Sequence, residues 1–87
     1  MKLIITIIPD NVCDVVSLAL TESKFRVTQI ASTGGFLRKG NSTLLVGVDD
    51  EKLDEAVGLI RQNVDKSGSK QQKGVLFVLK VDKFIHF

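Results

Sequence analysis

The stretch STGGFLRKGN, residues 32–41, gathers three glycines, an aromatic ring and two adjacent cations in a chain with only seven glycines and five phenylalanines. Gly34 and Gly35 permit positive backbone angles and close approach of another molecule to the main chain. Successive N–H groups exposed in such a turn make a concavity that accepts an anion. Phe36 offers a face on which a base stacks, and Asn41 both donates and accepts hydrogen bonds. Arg26 and Thr28 share one strand face leading into the turn and add a cation and a hydroxyl. These residue types suit a small phosphorylated ligand that carries a nucleobase. Read for structure alone, the same turn is a hairpin loop. Phe36 is then a core plug, Arg26 an exposed strand residue and Asn41 a turn residue that tolerates the left-handed conformation.

Other chemistries lack their residues. One histidine and one cysteine cannot build a structural zinc site within one chain. RKGNST lacks the Gly-Lys-Ser/Thr order that sets a lysine and a hydroxyl together on a nucleotide, and no G-x-G-x-x-G occurs. No Ser-His-Asp arrangement stands out. The expectation is a binding protein, not an enzyme, with no metal and no cofactor. Cys13, on a mainly apolar helix, reads as a small packing residue.

The elements that must position the turn follow from periodicity. KLIITII, stopped by Pro9, reads as a buried strand over roughly residues 2–8. Asp10 or Asn11 then caps a helix of roughly 11–23, in which Val12, Val15, Val16, Ala19 and Leu20 recur at helical spacing. FRVTQIAS reads as a strand over roughly 25–32, with Phe25 and Val27 opposite Arg26 and Thr28. STLLVGV, roughly 42–48, pairs with it as a hairpin. Asp49 and Asp50 offer an N-cap, and acidic residues suit the first turn, of a helix whose face is Leu53, Ala56, Val57, Ile60 and Val64. A polar connection over 65–74 leads to VLFVLKV, roughly 75–81, and a short apolar tail, DKFIHF.

The order β-α-β-β-α-β is the ferredoxin-like pattern: an α+β fold, with an antiparallel sheet carrying both helices on one face. All 87 residues form one domain, small enough to gain from oligomerisation. The first and last strands are apolar on both sides, and no sequence remains to cover the second face. A partner copy is the natural cover. The net charge of +2 is too small to argue for nucleic acid or membrane, and Lys66, Lys70 and Lys73 read as solvated loop lysines. A single cysteine forms no internal disulfide, and LIITII is too short for a membrane span or a signal sequence. A cytoplasmic protein is expected.

The block FRVTQIASTGGFLRKGNSTLLVGV, residues 25–48, closely resembles the PII-like receptors for cyclic di-AMP. The opening MKLIITI with Asp10, the second helix VDDEKLDEAVGLI and the ending VLFVLKVDKFIHF resemble the same family. The resemblance implies a homotrimer with nucleotide sites in the clefts between subunits. It implies ligand contacts from Arg26, Thr28, Gly35, Phe36, Leu37, Asn41 and Gly47, and from Phe77 as an aromatic approaching a base. It also implies two departures. The family ends in Phe-His-Gln-Phe, whereas Phe-Ile-His-Phe here sets His86 where a ligand-facing glutamine is expected. The family carries a long loop after the second helix, and here only DKSGSKQQKG stands in its place. The function implied is a non-catalytic cyclic di-AMP sensor whose loops order on binding, acting on an unidentified downstream protein. The alternative is a PII-like adaptor trimer that has lost this ligand or binds another adenine nucleotide. RNA binding on the open sheet needs aromatics on the central strands, and STLLVGV has none.

Overall fold

Lys2–Pro9 forms the first strand, β1, and its alternation divides the molecule: Ile4, Thr6 and Ile8 are buried, whereas Leu3, Ile5 and Ile7 are half-buried on the other side. The computed structural model describes residues 1–31, 40–66 and 74–87. After β1 come α1 (Asp10–Glu22), β2 (Arg26–Ala31) and β3 (Asn41–Val48). A 3₁₀ turn over Asp50–Lys52 then leads into α2 (Leu53–Asp65), and β4 (Val75–Lys80) completes the sheet. Strand order is β2-β3-β1-β4 with every pair antiparallel. This is the ferredoxin-like α+β fold expected from the sequence.

The core lies between one sheet face and both helices. Ile4 and Ile8 of β1 meet Leu44, Val46 and Val48 of β3, Val12, Val16 and Leu20 of α1, and Ala56, Ile60 and Val64 of α2. Burying each large aliphatic side chain stabilises the fold by roughly 1.5–3 kcal/mol. Cys13 joins this stripe, as its apolar setting suggested. Val15 does not, and is about half exposed. At 100° per residue it falls well outside the arc of Val12, Cys13, Val16 and Leu20.

The caps also differ from expectation. The first helical residue of α1 is Asp10, with Pro9 as its cap and no side-chain capping bond. The Asp10 carboxylate instead accepts the Ser42 hydroxyl across to β3. Asp49 precedes the 3₁₀ turn without capping it through its side chain, and Asp50 pairs with Met1.

Two glycines make opposite demands. Gly74, entering β4, has φ +137°, and a Cβ there would lie 2.3 Å from the Ile7 carbonyl oxygen. Gly58, within α2, has open space around it. Gly74→Ala is expected to destabilise the fold by at least about 1–3 kcal/mol, the cost of one strained backbone site. Gly58→Ala is expected to stabilise it by about 0.5–1 kcal/mol through helix propensity. Thermal melts of the two variants should shift in opposite directions; equal shifts would reject the close approach at Gly74.

Candidate functional site

Strand register decides which of the sequence-nominated residues meet. Arg26 lies opposite Gly47, and Gly47 opposite Leu3, which faces Leu79. One step along, Thr28, Leu45, Ile5 and Phe77 form the next row. Ile30, Thr43, Ile7 and Val75 form a third, and Asn41 pairs with Pro9 beyond it. Paired residues point to the same side of a sheet. Arg26, Thr28, Asn41, Gly47 and Phe77 therefore all belong to the face turned away from the helices.

They do not form one pocket within a single chain. Thr28 is on edge strand β2 and Phe77 on the opposite edge, β4, three strand spacings or about 14 Å apart. Asn41 lies six residues along β3 from Gly47, about 20 Å at the strand rise. Arg26, Thr28 and Phe77 are exposed, whereas Asn41 and Gly47 are half-buried. Gly35, Phe36 and Leu37 lie outside the described residues. His86 is in the exposed tail, where its ring approaches Phe84 with centroids 6.4 Å apart; no described contact joins it to the sheet-face residues.

The end of the glycine turn is anchored to the helix layer. Gly40 takes φ +93°, a conformation that favours glycine, and its carbonyl accepts the Asp10 N–H at 2.6 Å. Asn41, next to it, is already in β3. Gly40, and not Asn41, thus absorbs the left-handed conformation. Beneath them the Ser42 hydroxyl reaches Asp10. Burial pushes the neighbouring Cys13 thiol up from its ordinary pKa, against a smaller opposing pull from its hydrogen bond with Ser42.

The face also carries residues that the search for polar ligands missed. Leu3, Ile5 and Leu45 form an apolar floor between the polar β2 edge and the β4 edge, where Phe77 and Leu79 remain about half exposed. The signal was the apolar character of both alternating sets of β1. Met1 was missed as well. Its Cε lies 3.0 Å from where a Cβ on Gly47 would be, and a glycine within a strand is the sequence trace of such an approach. The Met1 amine meets Asp50 Oδ1 at 3.0 Å, and Lys2 lies 3.8 Å from the same oxygen.

A cavity of about 260 Å³ lies on the other side of the sheet, between α2 and the β1–β4 edge, lined mainly by Thr6, Ile8, Val57, Ile60, Val64 and Leu76. It contains none of the nominated residues. Among the described residues, no three His, Cys, Asp or Glu side chains gather to hold a metal ion, and no helix is long and apolar enough to cross a membrane.

Comparison with known proteins gives two findings. A family model described as cyclic-di-AMP receptor matches residues 1–72. The crystal structure of a functionally unknown protein from Pediococcus pentosaceus ATCC 25745 is similar over 99% of this chain and 96% of that one, with 27% identity and a TM-score of 0.80.

The Met1–Asp50 contact yields a pH prediction. The hydrogen bond from the Met1 amine, aided by Lys2 and Lys80, holds the Asp50 carboxyl below its ordinary value. A depressed carboxyl stabilises the fold above its unfolded pKa and loses that contribution as pH falls through the folded value. Asp50 is well exposed, so the effect is small. Asp50→Asn is expected to melt slightly below wild type at neutral pH. The two melting temperatures should converge on acidification through the lowered value, and a gap independent of pH would reject the ion pair.

Proposed function

The chain belongs to the cyclic-di-AMP receptor family, and on that premise we propose that it binds cyclic di-AMP in the clefts between subunits of a homotrimer without transforming it. The observation that supports an inter-subunit site is the spread of the nominated residues. Arg26 and Thr28 sit on one sheet edge, Phe77 on the other, with an apolar floor between them. A nucleotide reaching polar groups at one edge and an aromatic from the opposite type of edge is best served by two copies. The same assembly would cover the exposed Phe77 and Leu79 side chains, which a monomer leaves to water.

The roles follow from chemistry. Arg26 supplies a charge-assisted bond to a phosphate, and Thr28 and Asn41 supply hydroxyl and amide groups. Gly47 keeps the floor low, and Phe77 offers a face to an adenine. Gly35 and Phe36 enter on the residue chemistry of the turn and on the resemblance, Leu37 and His86 on the resemblance alone. The output proposed is an ordering of loops at the cleft, read by a downstream protein as a shift in population. The free thiol of Cys13 is in keeping with a cytoplasmic location.

Calorimetric titration with cyclic di-AMP tests the reading, with cyclic di-GMP and ATP as controls and sedimentation to give the assembly state. Selective binding near one ligand per subunit of a trimer is expected. Arg26→Ala should weaken it roughly tenfold or more, the worth of one hydrogen bond to a charged group. A folded trimer that takes up no cyclic di-AMP would reject the sensor and favour an adaptor, and selective uptake of ATP would reassign the ligand.

A further inference from the structure

Gly47 sits between Arg26 and Leu3 in the row nearest the β4 exit. The space that a side chain would take there is held by the Met1 thioether methyl, with Cε 3.0 Å from the Cβ position. Met1 is pinned from two sides. Its amine reaches Asp50 at 3.0 Å, and its carbonyl accepts the Val81 N–H at 3.1 Å. With that backbone held, the side chain turns back across β3 onto the open face. It remains 44% exposed, so anything lying against Gly47 from the solvent side must meet it.

We propose that Met1 is a ligand-contact residue: its thioether floors the Arg26 end of the nucleotide surface and packs against an adenine ring whose phosphate Arg26 holds. This rests on the receptor reading above. The chemistry suits the place. Methionine is unbranched and polarisable, adapts its shape to what lies on it, and makes favourable sulfur–aromatic contacts. A glycine at 47 then has a definite purpose, since any side chain would displace the methyl from the floor. The contact also adds an apolar element to an end of the surface where the nominated side chains offer only a guanidinium and a hydroxyl.

Met1 is the only methionine, so protein labelled with methyl-¹³C methionine gives a single methyl resonance. That resonance would be followed during a cyclic di-AMP titration, beside calorimetry on the same sample. The expected result is a shift that saturates with the heat. Met1→Ala, released from a cleavable N-terminal fusion so that its amine still reaches Asp50, should bind roughly two- to tenfold more weakly, the size of one sulfur–aromatic contact. Gly47→Ala should move the resonance without ligand. Heat with an unmoved wild-type resonance, or unchanged affinity in Met1→Ala, would overturn the contact and leave the receptor reading intact. A resonance unmoved by Gly47→Ala would overturn the starting geometry. Neither heat nor shift would remove the receptor reading, and the Met1 contact with it.

Discussion

β1 is bonded along both edges, to β3 from Lys2 to Pro9 and to β4 from Lys2 to Ile7. A slip of one residue against either neighbour would exchange its two faces. Ile4 and Ile8 would leave the helices, and Ile5 would enter the core. Because the core fills around Ile4, Ile8, Leu44 and Val46, that exchange is strongly opposed. The register that follows also aligns Arg26 with Gly47 and Phe77 with Ile5. The apolar side of the sheet thus fixes the order of the residues on its other side, although none of those takes part in the core.

The second face has a different economy of contacts. Its centre is aliphatic and its edges carry the guanidinium, the hydroxyl and the aromatic ring. Two features shape it at this point: Gly47 has no side chain, and the Met1 thioether methyl occupies the space beside it. The position of Met1 depends on contacts at the margin of the sheet, its amine with Asp50 and its carbonyl with Val81. The 3₁₀ turn that carries Asp50 therefore has a consequence for the open sheet face as well as for the approach to α2.

Most of the fold was legible because each element carries one dominant period. Ile4, Thr6 and Ile8 alternate, and Ala56, Ile60 and Val64 recur at helical spacing, so local pattern and tertiary packing agree. The errors lie where a side chain has a choice of partners. Asp10 and Asp50 have the composition of helix caps, yet Ser42 and the Met1 amine claim them. These partners are distant in sequence, and no local rule weighs them. Val15 failed for a geometric reason, since an i+3 neighbour lies on the stripe only if the stripe extends to that side. Of the candidate site, the shared face of Arg26 and Thr28 was legible in their alternation, whereas the placing of Asn41, Gly47 and Phe77 on that face depends on the register of β1, β3 and β4. The dimensions of the site were not legible, because the separation of Thr28 from Phe77 depends on strand order.

A site divided between opposite edges has a thermodynamic consequence if two copies complete it. A ligand held by groups from both copies binds the assembled form better than the separate chains, and mass action then favours assembly as ligand rises. Linkage makes the relation reciprocal: assembly raises affinity for the ligand by the same factor by which the ligand raises affinity between the copies. Phe77, exposed at the edge of that face, would belong to both processes, covering apolar surface in the assembly and stacking on a base in the complex. A substitution there cannot be assigned to one role from affinity alone. The distinguishing quantity is how affinity varies with protein concentration. A loss through weakened assembly diminishes as protein concentration rises, whereas a loss of stacking persists when every chain is already assembled.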